Sequence, residues 1–235
     1  MPLRLDAPRC LRLDSREVPL ELSRHPRARR ITLRLNPAGD GVRMVLPRRT
    51  PIAEALNFAE QNRGWILQHL EKVPARIPFA AGAVIPILGR DHTIRHDPAA
   101  RSGVTRDDGV IRVSGLAEHL PRRVGDFLKR EARAEIGASA REKAARIERR
   151  IGRLSIRDTR SRWGSCNSDG DLNFSWRLVL APEHVLDYVV AHEVAHMVHL
   201  NHSRRFWKLA GDLSLDMAGA KAWLARHGAQ LWAYG

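Results

Sequence analysis

"VVAHEVAHMVHLNHS", residues 189–203, holds His192, His196, His199 and His202 together with Glu193 inside eleven positions. The run around it, "DYVVAHEVAHMV", is apolar enough for a buried helix. Residues four apart on a helix share one face, so His192 and His196 can reach the same ion. With Glu193 they spell H-E-x-x-H, a zinc-site pattern. Eleven histidines and twelve glutamates make such a match by chance only about 0.03 times per chain. Unpaired histidines in a buried helix are costly, and a metal gives them a partner. Zinc suits neutral imidazole nitrogens, and it lowers the pKa of a bound water towards about 7. Glu193, next to the first ligand, is the candidate general base for that water.

His202 follows His196 by six residues, the spacing by which metzincin peptidases recruit a third ligand after a sharp turn. That pattern has glycine where this chain has His199, so Asn201 is expected to supply the bend in the left-handed conformation. Ser203 is then the cap of the next helix. Three protein ligands leave a fourth position open, as a catalytic site requires. His199 lies about 10 Å along the axis from His192, too far to share its ion, and reads as a supporting or surface histidine. Asp212 and Asp216 are the rival third ligands, ranked below His202.

The 235 residues carry a net charge of +14, concentrated in residues 1–162, where the balance is +15 against −1 for residues 163–235. A basic surface attracts nucleic acid, anionic lipid or acidic substrates without selecting among them. No run is long and apolar enough to span a bilayer, and the N-terminal stretch lacks a signal-peptide pattern. Two distant cysteines, Cys10 and Cys166, exclude a disulfide scaffold. A cytoplasmic location is expected.

Along the chain, the first thirty residues show little periodicity. "ITLRL" and "VRMVL" alternate and flank a Pro/Gly turn, which predicts a β-hairpin. A helix is expected from Thr50 as cap and Pro51 at its first position, carrying Ile52, Leu56, Ile66 and Leu70. Short strands follow in "VIPIL", "HTIRH" and, after an Asp108-Gly109 turn, "VIRV". One long helix covers 118 to about 150, with Leu120, Val124, Phe127, Ile136, Ile147 and Ile151 at helical spacing. Beyond Arg162 come two short strands, the second being Asp171 to Trp176. A helix started by Pro182 follows, and two more close the chain. The expected class is α+β, with a basic part at 1–117 and a second part at 118–235.

"TRSRWGSCNSDGDLNFSWRLVLAPEHVLDYVVAHEVAHMVHLNHSRRFW" resembles the YgjP-like metallopeptidase family in its R-W-G-S-C element, L-N strand, H-E-x-A-H helix and N-H-S-x-x-F-W end. "ARRITLRL", "VLPRRTP", "WILQHL" and "IPILGRDHTI" agree in order. The resemblance implies zinc held by His192, His196 and His202, and Glu193 as catalytic base. It also implies a compact zincin-like fold, related to SprT-like proteins, with the motif helix packed on a small antiparallel sheet. An edge strand above the metal would bind extended peptide, and Asp171 to Trp176 is the candidate. Trp163, Trp176, Phe206 and Trp207 read as core, Gly164 as a tight turn and Cys166 as a small buried thiol. Arg162 and Arg204 are both candidates to stabilise an oxyanion.

The leading function is a zinc-dependent metallopeptidase acting on peptide or protein substrates. One alternative is metal-dependent hydrolysis of a phosphoanhydride, as in a nucleoside triphosphate, although no P-loop is present. Another is a nucleic-acid-associated protease. Residues 24–49 are arginine-rich without an aromatic residue, so any nucleic-acid binding should run through phosphates and weaken with salt.

Overall fold

The computed structural model describes residues 3–4, 10–36, 39–71, 75–101, 103–159 and 162–235. The chain forms two compact units, 1–74 and 75–235. The division expected at 117/118 falls inside the second unit. Ile85, Ile94 and Ile111, from strands expected in the first part, are buried in one core with Leu128 and Ile136 of the long helix.

The first unit has strands β1 (Leu3–Arg4), β2 (Cys10–Leu13), β3 (Arg16–Arg24), β4 (Thr32–Leu35) and β5 (Val42–Leu46). The predicted hairpin is β4–β5, with Leu33 opposite Met44. The central β3 pairs in parallel with β5 and antiparallel with β1 and β2. Its Val18, Leu20 and Leu22 are buried at alternate positions. Pro19 faces Cys10 of β2 just before the β5 pairing begins at Leu20, so its missing N–H breaks no bond on that side. The expected single helix is two, α1 (Ile52–Gln61) and α2 (Arg63–Glu71). Asn62 ends α1, its amide donating to the carbonyl of Phe58. Pro51, without a side-chain cap bond, holds the N-cap position expected for Thr50.

The second unit opens with β6 (Val84–Ile87), β7 (Arg90–His96), β8 (Val104–Asp107) and β9 (Val110–Val113), in the order β6-β7-β9-β8. Asp108 and Gly109 both have positive φ, as the predicted tight turn requires. Helix α3 runs Leu120–Arg146 and buries Leu120, Val124, Phe127 and Ile136. Ile147 and Ile151 lie beyond its end, where Glu148 at φ 54 reverses the chain.

Three strands then form a separate small sheet: β10 (Leu154–Arg157), β11 (Gly164–Cys166) and β12 (Leu172–Ser175), in the order β10-β12-β11. This corrects the edge-strand expectation. The Asp171–Trp176 segment is the centre of the sheet, parallel to β10 and antiparallel to β11. The edge strands are β10 and β11.

Helices α4 (Glu183–Ala195), α5 (Arg204–Leu213) and α6 (Met217–His227) complete the chain. Helix α4 packs against α3, α5, α6 and β11. It is buried almost all round, with Val185, Leu186, Val189, Val190 and Val194 in the core. No helix among the described residues is long and apolar enough to cross a membrane.

Candidate metal centre

Helix α4 ends at Ala195, and His196 is its C-cap with φ −66. Six residues, 197–202, follow, and Ser203 then caps α5, its hydroxyl accepting from the N–H of Phe206 at 3.3 Å. No left-handed residue makes this bend. Asn201 is not among the positive-φ positions, and the reversal runs through an N–H to C=O bond from His199 to Ala195. The turn carries His202 back over the end of α4. The side-chain nitrogens of His192, His196 and His202 that converge there all lie within 4.8 Å of one another. The ring centroids form a nearly regular triangle, with sides of 5.0, 5.1 and 4.8 Å.

Phe206, fully buried on the first turn of α5, lies under all three rings at 4.9, 4.4 and 4.7 Å. Trp207 stacks on His202 at 5.4 Å, and the ammonium of Lys221 sits 4.5 Å from the Trp207 ring. Phe206 and Trp207 stand three and four positions after the Ser203 cap, so the first turn of α5 brings both to the imidazoles.

The donor set fits a zinc-like ion. His196 Nδ1 contacts the His199 carbonyl at 3.0 Å, and a carbonyl only accepts, so the proton is on Nδ1 and Nε2 is left as a lone pair. The backbone of His199, rather than its imidazole, is what supports the site. His192 Nδ1 is buried without a hydrogen-bond partner, while its Nε2 faces His202 Nε2 at 3.2 Å. Nitrogens bound about 2.05 Å from a tetrahedral zinc stand about 3.3 Å apart, so this edge of the triangle already has the length such an ion requires. Burial holds the His192 imidazole down to about 4, helped by the charges of His196, His202 and Lys221, and burial also lowers His196. Neutral rings are the forms that ligate. Neither rival acid belongs to the cluster. Asp212 pairs with Lys208, and Asp216 caps α6 by accepting from the N–H of Gly219.

Glu193 is 7% exposed. Burial pushes its carboxyl up to about 7, against the opposing field of Arg162. Its side chain lies on β11, where Gly164 faces it. Gly164 has ordinary extended backbone, pairs with Phe174 and sits in no turn, contrary to the sequence expectation. Trp163 accepts from the N–H of Ser175, and Asn167 donates to Asp171. By antiparallel alternation Trp163, Ser165 and Asn167 bond to β12, so the N–H and C=O of Gly164 and Cys166 point out from the open edge. Sequence reasoning missed this strand as the edge; only the pairing order reveals it.

Trp176 and Phe206 are core, as expected, whereas Trp163 and Trp207 are half-buried, Trp163 stacking on Trp232 at 4.6 Å. Cys166 is a free, half-buried thiol raised to about 11, chiefly by burial and then by Glu193 and Asp171, and it stands outside the histidine cluster.

Converging histidines beside a buried glutamate define a candidate metal centre of the hydrolase type. The model of the YgjP-like metallopeptidase domain matches residues 29–227, most of the chain, and the chain belongs to this family. No curated protein and no solved structure matches it.

Proposed function

We propose that the protein is a zinc-dependent metallopeptidase of zincin-like arrangement, with His192, His196 and His202 as ligands and Glu193 as general base. The observation that carries this reading is the convergence of three imidazoles on one point, with Glu193 buried on the same helix turn. When bound, zinc supplies positive charge that polarises the scissile carbonyl and acidifies water towards about 7. The chain's own groups do the rest. Glu193 takes the proton of the attacking water and passes it to the departing amine as the C–N bond breaks. Its low exposure keeps bulk water from competing for that proton.

An extended peptide is held by pairing with β11, through the N–H and C=O groups of Gly164 and Cys166. Backbone pairing reads little sequence, so broad specificity is expected. Of the two candidate oxyanion partners, Arg162 is favoured over Arg204, because its charge acts on Glu193.

The test is Glu193→Gln. The variant is expected to keep about one zinc per chain and to lose kcat by about 10²–10⁴-fold, the usual contribution of a general base. Full activity in a clean preparation of the variant would overturn the assignment.

A further inference from the structure

A methyl group built on Gly164 would lie 2.6 Å from Cγ of Glu193, 2.7 Å from Oε1 and 2.9 Å from Cδ. These three are the nearest atoms to that position, and all belong to one side chain. Non-bonded carbons prefer about 3.5–4.0 Å, so none of the three contacts is tolerable. The glycine is not there for its backbone freedom, since β11 is ordinary strand at this point. It is there because the Glu193 side chain occupies the space a side chain would need.

We propose that Gly164 is a positioning residue for Glu193: its bare backbone forms the seat of the carboxylate, at the same residue that offers N–H and C=O to the substrate strand. The functional half of this claim rests on the peptidase reading given above. The steric half does not.

The geometry leaves Glu193 few ways to yield. Its Cβ is fixed by α4, which is packed against α3, α5, α6 and β11, and Cγ can move only by rotation about χ1, where helices allow few rotamers. Such a rotation would carry the carboxylate away from the strand edge. Otherwise β11 itself must shift, at the cost of its pairing with β12. Aspartate at 193 would not help, because its carboxyl carbon stands where Cγ of glutamate stood, the closest of the three contacts. Alanine at 193 removes all three.

The experiment is a cycle of Gly164→Ala in the wild-type, Glu193→Ala and Glu193→Asp backgrounds, read by thermal unfolding, zinc content and steady-state kinetics. Gly164→Ala alone should retain its zinc and lower Tm by roughly 2–12 °C, the range for overpacking in a domain of this size. The loss should persist with aspartate and largely vanish with alanine at 193. Alanine at 164 keeps the edge N–H and C=O, so KM should change little while kcat falls about a hundredfold, as expected for a group displaced by about 1 Å. A fall in kcat without a fall in Tm also supports the claim, the carboxylate having swung aside. An equal Tm loss with and without the glutamate would overturn it, since the glycine would then serve only the strand. Unchanged Tm and unchanged kcat would overturn it as well. Should the protein have no peptidase activity at all, the peptidase reading fails separately and the thermal cycle still decides the steric claim.

Discussion

Replacing Lys143 by methionine should destabilise the second unit more than any surface substitution in it. Lys143 is 2% exposed on α3 and pairs with Asp187, 7% exposed on α4, through Nζ and Oδ1. The other oxygen of Asp187 accepts from the N–H of Leu215 at 2.7 Å, in the link between α5 and α6. One carboxylate therefore ties together α3, α4 and the link between α5 and α6. The nearest other charge to the ammonium is Glu142 at 3.5 Å, and that residue is well exposed. Removing the ammonium leaves a buried anion with a single backbone donor. Breaking a buried pair from one side costs about 3–5 kcal/mol. At about 2–4 °C per kcal/mol for a domain of this size, Tm should fall by roughly 6–20 °C. Neutralising both ends tells a pairing effect from a packing effect. Lys143→Met with Asp187→Asn keeps an acceptor for Leu215 and leaves no lone charge, so it should recover most of the loss. Thermal unfolding by circular dichroism reads both variants. A Tm within about 2 °C of wild type for Lys143→Met, or a double variant less stable than the single one, would refute the reasoning.

Three further outcomes follow from other contacts in the structure. Ser203→Ala removes the hydroxyl that accepts from Phe206 at the start of α5, and should cost about 1 kcal/mol in urea unfolding and weaken zinc binding by loosening the turn that presents His202. Cys166, raised from 9.0 to about 11, should react slowly with iodoacetamide at pH 8 in the native protein, while exposed Cys10 reacts at once. The raised value means that the folded state holds this proton more tightly than the unfolded one. Stability from this group is thus complete below pH 9 and declines as pH rises from 9 to 11, which urea midpoints across that range would report, and a Cys166→Ser variant should show a shallower decline, the remainder belonging to Tyr188 and Tyr234, whose phenols burial also raises.

The histidine helix, the Ser203 cap, the β4–β5 hairpin and the Asp108-Gly109 turn were legible because each is written in neighbouring residues. What stayed hidden depends on residues far apart. Strand β3 carries alternating Val18, Leu20 and Leu22, yet Pro19 in its middle argues against a strand until the β5 pairing is known to start only at Leu20. The parallel pairs β3–β5, β7–β9 and β10–β12 leave no mark in short-range pattern. "LSIR" is too short and too polar to announce β10, and without it the L-N strand is mistaken for an edge. Gly164 reads as a turn because glycine usually buys φ freedom. Here its role is set by Glu193, twenty-nine positions away in sequence. The bend before His202 stands where the sequence predicts it, but it is made by a helix that simply ends after Ala195 and not by a left-handed Asn201.

The central claim is that His192, His196 and His202 hold a single zinc. Elemental analysis of untagged protein, wild type beside His202→Ala, tests it most directly. About one zinc per chain in the wild type, lost or much weakened in the variant, is the expected result. Wild-type protein that takes up no zinc when it is offered, or a His202→Ala variant that holds it equally well, would contradict the three-histidine centre.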